Sequence, residues 1–101
     1  MTGAPAVISL SDLREALRRL LDAAEEQLGA VINLDADQYW AIDSRRAFDL
    51  STDPEVDVGQ LSDDTATVRD LLAREDGEIF LWHDLDHVIA ILQRIGALAR
   101  P

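Results

Sequence analysis

The stretch from Val58 to Asp64, which reads Val-Gly-Gln-Leu-Ser-Asp-Asp, organises the sequence because it joins an acidic, loop-like middle to the start of a predicted helix. Gly59 permits a turn with positive φ, and Ser62 is a residue type that caps helix N-termini. Leu61 can fold back onto the helix as a hydrophobic staple. The two aspartates that follow would face the positive end of the helix dipole.

Three helices are predicted from apolar residues that recur three and four positions apart. They run from Leu10 to Leu28, from Asp63 to about Glu75, and from Leu85 to about Leu98. Ser9 or Ser11 can cap the first helix, and Gly29 can end it in a left-handed conformation. Asp84 can cap the third helix, whose apolar arc is wider than a surface helix needs.

Two short strands are predicted at Gln38–Asp43 and Glu78–Trp82, where apolar residues alternate, and they could pair antiparallel. Arg45–Gln60 contains Pro54 and several acids, which favours an ordered loop. Ala30–Leu34 fits either a strand or a last helical turn. We therefore expect a mainly helical α+β fold of three helices and a two-stranded ribbon. Residues 1–8 would form a flexible arm and residues 9–101 a single domain.

The formal charge of the 101 residues is −11, and residues 35–64 contribute the largest share. This charge disfavours binding to a phosphate backbone and favours a basic protein partner. The sequence has no cysteine, no signal-peptide pattern and no apolar run long enough to span a membrane. We expect a cytoplasmic protein without a cofactor, a membrane anchor or a nucleic-acid partner.

His83 and His87 are the candidates for a metal site, because two imidazoles four residues apart on a helix can bind one ion. The string differs from the helical zinc motif: Asp84 replaces the glutamate, and the predicted helix starts only after His83. Helix capping with partly exposed histidines is therefore the preferred interpretation.

Two acidic patterns resemble sites but lack decisive residues. Asp49, Ser51, Asp53, Glu55 and Asp57 alternate like the front of a calcium loop. However, Pro54 stands where such a loop needs glycine and Gln60 where it needs glutamate. The adjacent pair Asp63 and Asp64 could act as a catalytic acid and base, but neighbouring residues at a helix start usually point apart. No catalytic residues are predicted.

The aromatic residues are expected mainly in the core, although tyrosine and tryptophan also anchor interfaces. The predicted interaction residues combine aromatic, acidic and surplus helical apolar side chains: Tyr39, Trp40, Asp49, Asp53, Glu55, Asp57, Trp82, Ile91 and Leu98.

From Tyr39 onward, over a little more than half of its length, the chain resembles a group of short, uncharacterised bacterial proteins. The shared features are a Tyr-Trp pair followed by an acid, a Gly-x-Leu-x-Asp-Asp helix start and a closing helix that ends in Ile-Gly. The matching residues are Tyr39, Trp40, Asp43, Gly59, Leu61, Asp63, Asp64, Leu92, Ile95 and Gly96. That group has an aromatic residue soon after the Asp pair, where this chain has Thr65. The resemblance implies a self-contained domain and no particular activity.

We therefore expect a small, acidic, non-enzymatic protein-interaction module, either a homodimer or bound to a basic protein in the manner of immunity proteins and antitoxins. One alternative is a small metal-dependent hydrolase that uses His83 and His87. Another is a small-molecule binding domain that uses Tyr39, Trp40 and Trp82.

Overall fold

A computed structural model describes residues 3–75 and 77–101 of the chain. The chain divides into two compact units, Met1–Ile32 and Asn33–Pro101. The first two residues of the predicted arm, and Asp76 after the second predicted helix, lie outside the described residues. The single domain predicted for residues 9–101 stays a prediction.

The first unit consists of an exposed, irregular segment and the helix α1, Leu10–Leu28. The Ser9 hydroxyl accepts a hydrogen bond from the Asp12 amide, which confirms the predicted start. Gly29 ends the helix with a φ of 97°, but its ψ of 166° is extended rather than left-handed helical. Four of the α1 leucines are exposed: Leu10, Leu13, Leu20 and Leu21. Residues 30–34, whose structure the sequence left open, form neither helix nor strand.

The second unit contains a two-stranded antiparallel sheet of β1, Gln38–Ile42, and β2, Val56–Gln60. Trp40 lies opposite Val58 and Tyr39 lies opposite Gly59. The first strand was predicted, but the assignment of the second strand to residues 78–82 was wrong. The structure places the partner of β1 inside the segment that was predicted as a loop, where valines alternate.

The connection between the strands is also more regular than predicted. It contains a single turn of helix α2, Ser44–Ala47, and Asp43 caps this turn by accepting a hydrogen bond from the Arg45 amide at 2.9 Å. This bond, followed by that from the Arg45 side chain, holds the pKa of the Asp43 carboxyl below its usual range. Of the predicted loop over residues 45–60, only the part between α2 and β2 lacks helix and strand.

Helix α3, Leu61–Ala73, starts directly at the end of β2, two residues earlier than predicted. Neither Ser62 nor Gln60 caps it through a side chain. Instead, Asp37 accepts hydrogen bonds from the amides of Leu61 and Ser62 through its carbonyl and its carboxylate, at 2.7 and 2.9 Å. The cap therefore comes from a residue that precedes β1, and it ties the start of the sheet to the start of α3.

Helix α4, Leu81–Leu98, starts four residues earlier than predicted and packs against α3. Asp84 is not its cap but lies in its first turn, where its carboxylate accepts a hydrogen bond from the Phe80 amide at 3.2 Å. Near its other end, Arg94 donates to the carbonyl of Leu34 at 2.7 Å and to that of Asp35 at 3.3 Å. These bonds fix the segment that leads into β1.

The residues with the least exposure are two apolar residues, Leu61 and Ala90, and two acids, Asp64 and Asp84. Leu61 was predicted as a staple outside the helix; in the structure it is the first residue of α3 and is buried. Among the described residues, every buried side-chain nitrogen and oxygen atom has a hydrogen-bond partner. Within residues 3–75 and 77–101, no helix is long and apolar enough to cross a membrane.

Candidate functional site

The outward face of the sheet is apolar over two of its three cross-strand pairs, while the third pair, Gln38–Gln60, is polar and exposed. Because side chains alternate along a strand, the pairs Trp40–Val58 and Ile42–Val56 project to one side, while Tyr39 and Gly59 project to the other. The four residues that we call the apolar sheet face are all exposed: Trp40, Ile42, Val56 and Val58. Trp40 is the most open of them, with 78% of its surface exposed. The other three are about half exposed, at 46% for Ile42, 54% for Val56 and 50% for Val58.

The acids predicted for an interaction surface lie beside this face in the chain. Asp49, Asp53 and Glu55 are exposed in the connection between the strands, and Asp57 is exposed within β2. The alternating acids do not form one continuous calcium-type loop. Asp57, the last of them, belongs to β2, and its carboxylate accepts a hydrogen bond from the Val58 amide. Asp49 accepts bonds from the amide and hydroxyl of Ser51, and the hydroxyl bond is the larger cause of its lowered pKa.

The other predicted interaction residues are distributed differently. Trp82 is exposed in the first turn of α4, whereas Ile91 and Leu98 are half-buried on the same helix. The exposed apolar residues of α4 also include Leu81, Leu85 and Ile89, which lie one turn apart. Tyr39 is half-buried and faces the helices.

Asp64 is the centre of a buried hydrogen-bond network. Only 1% of its surface is exposed. Its carboxylate accepts a hydrogen bond from the Tyr39 hydroxyl at 2.7 Å and lies 2.5 Å from Nδ1 of His87. Burial, and then the bond to the Asp64 carboxylate, raise the pKa of Tyr39. The network therefore joins β1, α3 and α4 through one carboxylate.

This geometry corrects the expectation that both aspartates of the helix start simply face the dipole. Asp63 is exposed and Asp64 is buried, so the two carboxylates point apart. A helical pattern could have revealed this difference, because Asp64 lies on the same stripe as Leu61, Val68 and Leu71. In a sequence, an acid on the apolar stripe of a helix is therefore a sign that its carboxylate is buried.

A second buried carboxylate, that of Asp84, joins α3 to the start of α4. Arg74 donates to its two oxygens at 2.9 and 3.2 Å, and also to the carbonyl of Glu78 and the carboxylate of Asp70. The Arg74 guanidinium holds the pKa of the Asp84 carboxyl below its usual range, and Asp84 raises the pKa of Arg74. In place of the predicted strand at residues 78–82, the structure has three residues without regular structure, 78–80, followed by the first two residues of α4.

Asp84→Asn is expected to make unfolding less sensitive to acid. A carboxyl whose pKa is lower in the folded than in the unfolded chain stabilises the fold above the unfolded pKa of about 4. That stabilisation disappears as the pH falls through the lower, folded pKa. Urea midpoints between pH 7 and pH 2.5 should therefore fall more steeply for the wild type than for Asp84→Asn. Asp70→Asn, which removes an exposed partner of Arg74, is the control; equal acid slopes for wild type and Asp84→Asn would contradict the assignment.

His83 and His87 both lie within α4, since this helix starts before His83. Their ring centres are 4.7 Å apart. His83 is exposed and His87 is half-buried. Within residues 3–75 and 77–101, no three His, Cys, Asp or Glu side chains are arranged to hold a metal ion together.

A shallow cleft of about 220 Å³ lies between the start of β1 and the C-terminal half of α4. Tyr39, Trp40, Leu61 and Arg94 contribute to its lining, but Trp82 does not. Its volume is below the range of about 300–1,000 Å³ that is typical of small-molecule sites. The three aromatic residues predicted for a ligand pocket are therefore not brought together there.

No protein-family model matches this chain, and comparisons with curated proteins and with solved structures give no match either.

Proposed function

We propose that the chain is a non-enzymatic protein-interaction module that binds a basic protein through the apolar sheet face. The observation that carries the proposal is the exposure of Trp40, Ile42, Val56 and Val58 together on one side of the sheet. A two-stranded sheet normally turns polar side chains to the solvent, so an apolar outer face is typical of a binding surface. Tryptophan is also the residue type most enriched at the energetic centres of interfaces.

The charge of the chain favours a basic partner over a second copy. Asp43 and Glu55 directly flank the Ile42–Val56 end of the sheet, and the connection between them adds Asp49 and Asp53. Two copies joined through this face would bring together two chains of formal charge −11. A basic partner would instead be attracted to the acidic rim, which accelerates association while the apolar centre supplies affinity.

Trp40→Ser is expected to weaken binding of the partner roughly 30-fold, because truncation of a central tryptophan typically costs about 2 kcal/mol or more. The immobilised wild-type chain would be incubated with lysate of its source cells, and the retained polypeptide would be identified and then titrated in purified form. Its predicted isoelectric point should be basic, and its affinity should fall as NaCl rises from 50 to 500 mM.

Leu72→Ser is the matched control, because Leu72 is 80% exposed but lies on α3. This variant should retain the partner with unchanged affinity. Equal affinity of Trp40→Ser and Leu72→Ser, or a partner whose binding is insensitive to salt, would contradict the proposal. A stable dimer of the pure chain that Trp40→Ser dissociates would assign the face to a second copy and would also overturn the choice of a basic partner.

A further inference from the structure

His83 and His87 share a feature that the interaction surface does not use. Each histidine has its Nδ1 atom next to a buried aspartate of the second unit. Nδ1 of His87 lies 2.5 Å from Oδ1 of Asp64, and Nδ1 of His83 lies 3.5 Å from Oδ1 of Asp84. These are the two acids with almost no exposed surface, at 1% and 3%.

The aspartates determine which ring nitrogen remains free. An ionised carboxylate can only accept a hydrogen bond, so the nitrogen that faces it carries the proton. In the neutral imidazole of His87 the lone pair is then on Nε2. The 3.5 Å contact of His83 is longer than a hydrogen bond and places its Nδ1 on the side of the Asp84 carboxylate. A carboxylate on one ring nitrogen is the usual arrangement of histidines that bind a metal through the other, because it orients the ring and makes the ligand more basic.

The spacing of the rings fits one shared ion. With a metal–nitrogen distance of about 2.1 Å, and about 1.1 Å from that nitrogen to the ring centre, two rings bound at about 90–109° have centres about 4.5–5.2 Å apart. The observed separation of 4.7 Å lies within this interval. The start of α4 at Leu81 is what makes this spacing possible, since it places both residues on the helix, one turn apart.

We propose that Nε2 of His83 and Nε2 of His87 together bind one divalent transition-metal ion of the Zn²⁺ or Ni²⁺ class. Imidazole is a preferred ligand of these ions. Within the described residues the protein supplies these two nitrogens only, so water completes the coordination in the isolated chain. The site is therefore an open one, accessible through the exposed ring of His83.

The test is a titration of the untagged, EDTA-treated and dialysed full chain with ZnCl₂ and, separately, NiCl₂ by isothermal titration calorimetry. We expect one ion per chain. His83→Ala should weaken binding at least 10-fold, and its exposed position makes it the variant that should fold without change. Gln93→Ala, an exposed position further along α4, should bind like the wild type. Circular dichroism would confirm that both variants keep their helices.

Two further measurements separate this site from binding by the acidic segment. Nitrogen-15 spectra of the histidine rings should show Zn²⁺-dependent shifts at Nε2 of both residues, while both Nδ1 atoms stay protonated. Asp84→Asn should weaken binding about 10-fold through the orientation of His83. If neither Zn²⁺ nor Ni²⁺ bound at 1 mM, the proposal would be overturned. Metal binding that His83→Ala leaves unchanged would overturn it as well.

Discussion

Asp64→Ala is expected to lower the free energy of unfolding by about 3–5 kcal/mol, which is a large part of the stability of a small domain. The substitution removes the acceptor that the Tyr39 hydroxyl and Nδ1 of His87 share. Both groups are half-buried and would lose their partner, and an unsatisfied buried group costs about 1–3 kcal/mol. The carboxylate itself has only 1% of its surface exposed, and the low dielectric around a buried acceptor strengthens its hydrogen bonds.

Urea unfolding followed by circular dichroism measures this effect, and Asp63→Ala is the matched control. Asp63 precedes Asp64 in the same helical turn but is exposed. Its removal should cost only about 0.3–1 kcal/mol, since it acts on the helix dipole alone. If the free energies of unfolding of the two alanine variants differed by less than 1 kcal/mol, the Asp64 carboxylate would not be the centre of a stabilising hydrogen-bond network.

A double-mutant cycle tests whether the network acts as a unit. Tyr39→Phe alone should cost about 1.5–3 kcal/mol, the usual range for a hydrogen bond to a charged group. In the Asp64→Ala background the same change should cost much less, because the hydroxyl has already lost its acceptor. Additive effects would mean that Tyr39 is held by packing and not by the carboxylate.

The local patterns of the sequence predicted the helices and the strand that have strong periodicity. They missed strand β2, which depends on pairing with a strand elsewhere in the chain. Helix α1 and strand β1 each carry their own signal, in the spacing of leucines and in the alternation around Trp40. Strand β2 contains Asp57 and Gly59, which are poor strand formers. Its conformation follows from antiparallel pairing with β1, which no window of adjacent residues contains.

The error at residues 78–82 has a related cause. A run of alternating apolar residues with aromatic side chains fits a strand, but a short run of this kind cannot be distinguished from the start of a helix by its period. Here Arg74 donates to the Glu78 carbonyl, and Asp84 accepts the amide of Phe80. These bonds satisfy the backbone without a neighbouring strand, so the helix starts at Leu81.

The buried networks were predictable only in outline. Asp64 and its partners Tyr39 and His87 are separated by 25 and 23 residues, so their contact depends on the packing of α3 against α4 and on the position of β1. In the sequence, Asp64 lies on the apolar stripe of α3, and Asp84 lies on the corresponding stripe of α4 with Val88 and Ile91. The stripe indicates burial but cannot identify which donors the carboxylate meets.

Gly59→Ala is expected to lower the free energy of unfolding by about 3 kcal/mol. The reason is close approach and not backbone conformation: a Cβ atom at Gly59 would lie 2.6 Å from both Cε2 and the hydroxyl oxygen of Tyr39. Overpacking of this kind typically costs about 1–3 kcal/mol. The ring cannot move away without breaking the 2.7 Å bond to Asp64, and that bond contributes about 1.5–3 kcal/mol.

Gly96→Ala is the control for the loss of glycine itself. Gly96 lies inside α4, and a Cβ atom there would meet nothing within 4 Å. Alanine should therefore stabilise that position by about 0.5–1 kcal/mol. In a Tyr39→Ala background, Gly59→Ala should also become neutral or slightly stabilising, because the ring that it would strike is gone. If Gly59→Ala were as well tolerated as Gly96→Ala in the wild type, the Tyr39 ring would not be fixed between the sheet and Asp64.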